Sequence, residues 1–202
     1  MKRREAIGGI VGPVAFIGAW LTGAVTTAVD YSMVDDAISR LAAVGADSRA
    51  LMTSGFVAFG VAVPIFGVAL RRHVGGLGWV GAVTTGLATL AVAATPLDRS
   101  ATVDTLHGVF ATVGYIALIA VPTLSFGPLR LAGHSRLAAA GAVAATVSTA
   151  SLALSSTTLP TGLFQRLGLT STDLWIIALA ISITTGRFTE SHRESHRGQA
   201  PT

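Results

Sequence analysis

The sequence predicts an all-α, polytopic membrane protein that crosses the bilayer six times and keeps both termini on the cytoplasmic side. The first observation behind this prediction is composition: of 202 residues, 51% are hydrophobic and only 12% are charged, about half the charged share of soluble domains. The second is a series of six apolar stretches. The third is the uneven distribution of basic residues among the segments that join them.

The apolar stretches have the length of membrane spans. A bilayer core of about 30 Å requires about 20 apolar residues per helix. The six predicted spans cover residues 6–29, 51–70, 75–96, 105–128, 137–159 and 163–186. The first follows a basic N-terminus, as the core of a signal peptide would, but it is longer than the usual core of about 7–15 residues. We therefore expect it to be retained as a helix.

The spans assign most of the chain to one unit. Residues 1–186 are expected to form the six-helix transmembrane domain, and residues 187–202 a disordered cytoplasmic tail. The tail is polar and repeats the sequence Glu-Ser-His-Arg, a composition that cannot bury a core. A metal held by the two repeated histidines is the alternative, although no further ligands lie nearby in the sequence.

Charge predicts the orientation, because cytoplasmic loops carry an excess of Lys and Arg. Alternate connections divide the 14 basic residues into two unequal sets. The larger set contains Lys2, Arg3, Arg4, Arg71, Arg72, Arg130, Arg136, Arg187, Arg193 and Arg197. The smaller set contains Arg40, Arg49, Arg99 and Arg166. Most acidic residues lie with the smaller set. The larger set therefore marks the cytoplasmic side of a multi-pass protein of the cell membrane.

Residue content excludes several classes of function. The chain has no cysteine, so disulfides, thiolate metal sites and cysteine nucleophiles are ruled out. His107 is the only histidine in a predicted span, which leaves a bis-histidine haem or a three-histidine zinc site without ligands. We expect no metal and no cofactor. Topology explains the net charge of +4, so we expect membrane lipids as partners and no nucleic acid.

Small residues predict how the helices pack. The fifth span consists largely of Ala, Val, Ser and Thr. Because small side chains let helices approach closely, we expect this span at the centre of the bundle. Gly8 and Gly12 have the spacing of a close helix contact, which we interpret as packing within the chain rather than as a dimer face.

The longest outer connection contains a further helical pattern. Apolar residues within 32–43 share one face, which predicts a short amphipathic helix lying in the outer interface. The other face carries Asp35, Asp36, Ser39 and Arg40. Ser32 and Asp35 have the spacing of a capping box. Asp36 and Arg40 lie one turn apart and are predicted to pair.

The other two outer connections bring further polar residues to the same side. Asp104 is placed to cap the fourth span, with His107 one turn inside it. Ionisable residues at membrane depth usually face the bundle interior and are candidates for function. In the third connection, Arg166 and Asp173 lie two turns apart on one helical face.

The leading hypothesis is a non-catalytic protein that binds a lipid or small amphiphile in a polar pocket at the outer face. The expected ligand-binding residues are Asp35, Ser39, Asp98, His107 and Arg166. Arg166 would meet an anionic group such as a lipid phosphate, which suits its planar donor fork. His107 and Asp98 would hold the pocket together.

The alternative hypothesis is an enzyme that acts on a lipid at the outer leaflet. The candidate catalytic residues are His107, Asp98 and Ser39. His107 would act as general base, oriented by Asp98 or Asp104. Ser32 or Ser39 would be the nucleophile, and Arg166 would stabilise an oxyanion. A transporter would need a continuous polar path to the cytoplasmic face, which the sequence does not contain.

A set of motifs along the chain resembles the family catalogued as domain of unknown function 998. These motifs are Tyr31-Ser32, Asp35-x-x-Ile38-Ser39-x-Leu41, Met52-x-x-Gly55-Phe56, Pro96-x-Asp98, His107-x-x-x-Ala111 and Gly162-Leu-x-Gln-Arg166 with Trp175. The resemblance extends from about residue 10 to residue 183. Members are bacterial and archaeal six-helix membrane proteins, so it implies the same topology and no particular reaction. A fainter similarity links Ile38-Ser39 and His107 to the Frag and damage-regulated autophagy modulator membrane proteins.

Overall fold

The computed structural model describes residues 4–28 and 30–186. Within these residues the chain forms α-helices, two short 3-10 helices at Arg4–Ile7 and Ile38–Ala42, and no β-strand. The α-helices are α1 (Gly8–Thr26), α2 (Arg49–His73), α3 (Gly78–Ala94), α4 (Ala101–Leu131), α5 (Ser135–Ser155) and α6 (Thr161–Thr184). The all-helical prediction is confirmed. The predicted tail lies outside the described residues.

Successive helices run in opposite directions, so the bundle has two distinct ends. At the end where α1, α3 and α5 begin, which we call the basic end, the Arg72 guanidinium donates to both carboxylate oxygens of Glu5 at 2.5 and 2.6 Å. The Arg71 guanidinium lies 5.1 Å from the centre of the Trp79 ring, a cation–π contact. These contacts place the start of α1, the end of α2 and the start of α3 side by side.

At the opposite end, which we call the loop end, lie the connections 27–48, 95–100 and 156–160. The Thr27 hydroxyl and the Ala28 N–H donate to the two carboxylate oxygens of Asp47 at 2.6 and 2.8 Å. The hydrogen bonds from Thr27 and Ala28 hold the pKa of Asp47 below its ordinary range. The two ends of the first connection are therefore tied together by one exposed carboxylate.

Helix length and surface identify a multi-pass membrane protein. Five helices of the described chain are long and apolar enough to cross a membrane, and α3, with 17 residues, is shorter. Large apolar side chains are exposed on the outward faces, for example at Val11, Ile65, Ile116 and Leu174. Contiguous apolar surface of this kind is typical of a protein that contacts lipid. The sixth span and the orientation remain predictions.

The fourth helix begins earlier than the predicted residue 105. Its cap is Ser100, whose hydroxyl accepts a hydrogen bond from the Val103 N–H at 3.3 Å. The prediction of Asp104 as the cap is therefore wrong. The Asp104 carboxylate instead accepts a hydrogen bond from the Asp98 N–H at 3.0 Å, which closes the turn between α3 and α4.

The close helix contact predicted at Gly8 and Gly12 is confirmed as packing within the chain. A β-carbon at Gly8 would overlap the Ala62 carbonyl of α2, and one at Gly12 would lie 3.0 Å from a methyl group of Val63. Only a hydrogen atom fits at Gly8, and a methyl group at Gly12 would be tightly packed.

A second close contact joins α2 to α3. Pro64 lies inside α2, where it lacks an N–H and its ring projects toward the neighbouring helix. A β-carbon at Gly86 of α3 would overlap that ring. Gly86 therefore leaves the space that the Pro64 ring occupies.

The prediction that the fifth span is central is wrong, because α5 packs mainly against α4 and α6 and much of its surface is exposed. Its buried residues form one narrow stripe: Ala138, Gly141, Ala144, Ser148 and Ser151. The Ser148 hydroxyl donates to the Gly168 carbonyl of α6. Small residues do permit close approach along this stripe. The remaining Ala and Val residues can face lipid at little cost, since lipid chains are equally apolar.

The first connection contains less helix than predicted. Instead of one amphipathic helix over 32–43, it forms a turn followed by the 3-10 helix Ile38–Ala42. One of the two bonds of the predicted capping box is present, because the Ser32 hydroxyl accepts from the Asp35 N–H at 3.1 Å. The Asp36 carboxylate accepts from the Ser32 N–H at 2.8 Å. This second bond folds the chain back on itself and ends the turn.

The predicted pairing of Asp36 with Arg40 is absent, because a turn replaces the predicted helix between them. The Arg40 guanidinium instead pairs with both carboxylate oxygens of Asp98 at 2.9 Å. The predicted apolar face is used only in part: Ile38 and Leu41 are fully buried against the bundle, whereas Met33 and Val34 are exposed. The 3-10 helix is therefore fixed over the loop end by apolar burial below and an ion pair above.

Candidate functional site

A cavity of about 50 Å³ lies at the loop end, bounded by the first connection and by α1, α2, α3, α4 and α6. Its aromatic wall consists of Phe16, Phe56, Phe59, Phe110 and Tyr115. Half of the chain's 8 Phe residues are in this set, so aromatic surface is concentrated here. The polar side chains in the wall are Ser39, Thr85, Thr89, His107 and Asp173.

His107 is held by the backbone of the neighbouring connection. It is 5% exposed, and its Nδ1 lies 2.6 Å from the Thr95 carbonyl oxygen. A carbonyl can only accept, so Nδ1 carries the hydrogen, and the neutral imidazole keeps its lone pair on Nε2. The orienting group is thus the Thr95 carbonyl, and neither Asp98 nor Asp104 makes a hydrogen bond to this ring in the described chain.

Asp173 lies midway along α6, is completely buried, and lines the cavity. Neither of its carboxylate oxygens has a hydrogen-bond partner among the described residues. Arg166, the cation on the same helix, is seven residues away, which corresponds to about 10.5 Å along the axis. Buried carboxylates are normally paired or hydrogen-bonded, so Asp173 is an exception that needs an explanation.

Asp173 was predicted only as a neighbour of Arg166 on one helical face and not as a residue of the pocket. The signal that could have identified it is its position: a carboxylate in the middle of an apolar span is a functional candidate by default. Thr85, Thr89 and Tyr115 were also missed, because isolated hydroxyls in apolar helices are common and carry no distinctive spacing.

The hydroxyls of α3 use their hydrogens within the protein. Thr85 donates to the Gly114 carbonyl of α4 at 2.9 Å, and Thr89 donates to the Thr85 carbonyl at 2.8 Å. Each hydroxyl has one hydrogen and two lone pairs. Toward the cavity, both residues can therefore offer only lone pairs.

Residues 31–42, which we call the cap, are fastened to the start of α6 by Arg166. This side chain is 8% exposed. Its Nη1 donates to the carbonyls of Met33 and Asp36 at 2.6 and 2.9 Å. Its Nη2 donates to the Tyr31 hydroxyl. The guanidinium also lies 5.4 Å from the centre of the Trp20 ring. Arg166 therefore functions structurally as a clamp between α6 and the cap.

Tyr31 remains a neutral phenol in this arrangement. Burial raises its pKa, and the neighbouring Arg166 guanidinium opposes that effect only in part. A neutral phenol can accept the hydrogen bond from Arg166 while its own hydrogen points to the Ala37 carbonyl at 3.4 Å. Through this second hydrogen bond, Tyr31 connects the Arg166 clamp to one more residue of the cap, Ala37.

Gln165 connects the cap to the cavity wall. The Ile38 N–H donates to its side-chain oxygen at 2.7 Å, which fixes the orientation of the amide. Its amide nitrogen then donates to the Tyr115 hydroxyl of α4. One buried side chain thus joins three elements: the cap, α6 and α4.

The structure brings together only part of the predicted ligand-binding set. Ser39 and His107 line the cavity, although no hydrogen bond joins them. Asp98 lies on the surface in its pair with Arg40 and adopts a left-handed conformation with φ of 63°. Asp35 is exposed, and its carboxylate accepts from the Ser32 hydroxyl at 2.7 Å. These two acids shape the connections around the cavity rather than its wall.

Comparison with known proteins identifies one family. A family model described as "Protein of unknown function (DUF998)" matches residues 10–182, a range that includes the cap and every residue of the cavity wall. No curated protein matches the chain. No solved structure matches it.

Proposed function

The chain belongs to the DUF998 family of membrane proteins of unknown function, and we propose that it binds a small amphiphile in the cavity beneath the cap. His107, Ser39 and Asp173 would contact the ligand. Arg166 and Asp98 would hold the cap, the former through the cap backbone and the latter through Arg40. No catalytic step is needed for this role.

One observation carries this proposal: a fully buried carboxylate without a partner faces a cavity with aromatic walls. An isolated charge in an apolar interior is costly unless a ligand, a proton or water compensates it. Apolar pockets that contain a few convergent polar groups are the usual form of small-molecule sites. In this protein, the cap also forms a fixed cover over the pocket.

The size of the cavity indicates which part of a ligand it would hold. Its volume of about 50 Å³ exceeds the share of one water molecule, about 30 Å³, and is far below the volume of a whole lipid. Partly exposed side chains of α3 and α4 form part of the wall, namely Thr89, Phe110 and Ala111. We propose that a headgroup occupies the cavity and an apolar tail leaves between these two helices.

A blocking variant tests the binding site. Ala111→Phe places a phenyl ring at the proposed exit, and the control Val113→Phe places the same ring on the exposed face of α4, where Val113 is 42% exposed. Native mass spectrometry of each purified protein, followed by extraction and lipidomics, would measure molecules that co-purify. We expect one class of small amphiphile in wild type and the control, and its loss in Ala111→Phe. Equal profiles in all three proteins would contradict the proposal.

We further propose six spans, with both termini cytoplasmic in the cell membrane. The 17 residues of α3 reach the lower limit of about 17 for a spanning helix. By sequence, 10 of the 14 basic residues belong to the termini and to the connections of the basic end. Because the chain has no cysteine, Ser135→Cys at the basic end and Thr158→Cys at the loop end can be labelled one at a time. A membrane-impermeant maleimide applied to intact cells should modify only Thr158→Cys. The opposite pattern would invert the orientation.

The enzyme hypothesis retains one supporting observation: Ser39 and His107 line the same cavity, with the imidazole Nε2 carrying a lone pair. A serine and a base need to be within hydrogen-bond reach to act together. A fluorophosphonate probe tests this arrangement. Labelling of wild type that disappears in both Ser39→Ala and His107→Ala would support a serine hydrolase. An absence of labelling in wild type would leave binding as the proposed function.

A further inference from the structure

Building on the proposed binding function, we infer that the cavity selects an amphiphile with a cationic headgroup, an organic ammonium, rather than a neutral or anionic one. The juxtaposition that carries this inference is the unpartnered Asp173 carboxylate facing an aromatic wall.

The hydrogen-bonding groups of the cavity wall favour a ligand that donates hydrogen bonds. Asp173 offers two carboxylate oxygens without partners. In its neutral form, His107 offers the Nε2 lone pair, because its Nδ1 hydrogen is used on Thr95. Thr85 and Thr89 offer lone pairs only, since their hydrogens are used on backbone carbonyls. A ligand that satisfies these groups must bring several N–H or O–H donors.

The two remaining hydroxyls do not change this balance. Tyr115 accepts from Gln165 and keeps its own hydrogen, and Ser39 can donate or accept. Together they supply two neutral donors, and neither forms a hydrogen bond with Asp173 in the described chain. The wall contains no Lys or Arg, and Arg166 is held at the cap, so an ammonium group would supply the positive charge that the Asp173 carboxylate lacks.

The aromatic wall favours an organic cation over a bare ion. Ring faces attract cations through their quadrupole, and aromatic cages are a common means of recognising ammonium groups. Phe16, Phe56, Phe59 and Phe110 cannot replace the oxygen ligands that a small inorganic cation needs in place of its water shell. They can pack against the methylene groups of an alkylammonium while Asp173 accepts its N–H donors.

Lipid phosphate is disfavoured at the same site. A phosphate would lie beside a buried carboxylate in a wall that contains no Lys or Arg, and two negative charges in contact repel strongly at low dielectric. The guanidinium that was expected to bind a phosphate, Arg166, has both Nη1 hydrogens committed to cap carbonyls. The residues therefore favour an amine headgroup.

A matched ligand series tests the inference with the full-length protein in a maltoside detergent, which carries no ammonium group. Hexylamine, hexanol and hexanoate share one tail and differ only in the headgroup, and binding is measured by calorimetry at constant ionic strength. We expect hexylamine to bind wild type at least about tenfold more tightly than the other two. Asp173→Asn, which keeps the shape and removes the charge, should abolish that preference while retaining hexanol binding. Asp30→Asn, at an exposed acid of the same end, should bind like wild type.

The outcomes separate the inference from the proposed function. Equal binding of all three compounds, or preference for hexanoate, overturns the cationic headgroup and leaves an amphiphile site in place. No binding of any compound to a folded wild type counts against both. Displacement of hexylamine by millimolar sodium or potassium chloride would assign the site to an inorganic cation instead. Phe110→Leu provides a second variant if Asp173→Asn fails to fold, and it should weaken hexylamine more than hexanol.

Discussion

Removing the Arg166 clamp should destabilise the protein measurably. In Arg166→Ala, the carbonyls of Met33 and Asp36 and the hydroxyl of Tyr31 lose their donors. Each lost bond costs about 1 kcal/mol, and more where the partner group stays dry. The total is about 3 kcal/mol, because the released cap can recover some hydrogen bonds from water. At about 2–4 °C per kcal/mol for a chain of this size, the melting temperature should fall by about 6–12 °C.

The assay is the fraction of monodisperse protein that survives heating in detergent, measured by size-exclusion chromatography, which does not depend on the fluorescence of Trp20. Arg99→Ala, at an exposed arginine of the same end, should melt within about 1 °C of wild type, as surface substitutions usually do. Arg166→Lys should fall between the two, since one ammonium cannot reach both carbonyls and the hydroxyl. The reasoning is refuted if Arg166→Ala melts with wild type, or if Arg166→Lys restores full stability.

Two further predictions concern packing and pH. Gly86→Ala should lower the melting temperature by the equivalent of about 1–3 kcal/mol, because its methyl group would overlap the Pro64 ring. The control Gly108→Ala should not lower it, because a methyl group there meets open space. Equal melting temperatures for the two variants would contradict the assigned contact. Because the pKa of Asp47 is lowered in the folded state, its contribution is present above the unfolded pKa and disappears as pH falls through the folded one. Wild type should therefore melt above Asp47→Asn at about pH 6, and the difference should shrink as the pH falls below the unfolded pKa of about 3.9. A difference that stays constant on acidification would refute the role of the carboxylate.

The helices could be predicted from the sequence because each is marked by a long run of apolar residues. Long apolar stretches must satisfy their own backbone hydrogen bonds in lipid, and the helix does so within one segment. The packing of Gly8 and Gly12 was predicted for the same kind of reason, since a small-residue spacing has a direct steric meaning. These features depend on local sequence, which is visible without the fold.

The placement of α5 could not be predicted, because small residues permit close packing without requiring it. One stripe of α5 contacts α6 through Ser148 and Gly141. The rest of the helix is equally acceptable to lipid and to protein, so its sequence is ambiguous. The position of α5 in the bundle depends on which neighbouring helices have a surface that matches it. The sequence of α5 alone does not show this.

The sequence predicted a site at this end of the bundle, but it predicted only some of the residues that line the cavity. His107 and Ser39 could be found because polar residues near the ends of apolar spans are few. Arg166 was expected to face a ligand, yet it is bound by backbone carbonyls of the cap. Carbonyl partners have no sequence signature, so a buried arginine that holds a loop and one that binds an anion look alike before the chain is folded.

The short third helix has a consequence for the surrounding bilayer. At about 1.5 Å per residue, its 17 residues rise about 25 Å, whereas α4, which packs beside it, has 31 residues and rises about 46 Å. With α3 as a full span, the hydrophobic height of the protein changes around its perimeter, and the lipids beside α3 must thin to match it. Such mismatch costs a fraction of a kcal/mol per Å. The protein should therefore collect in thin regions of a membrane that contains lipids of several chain lengths.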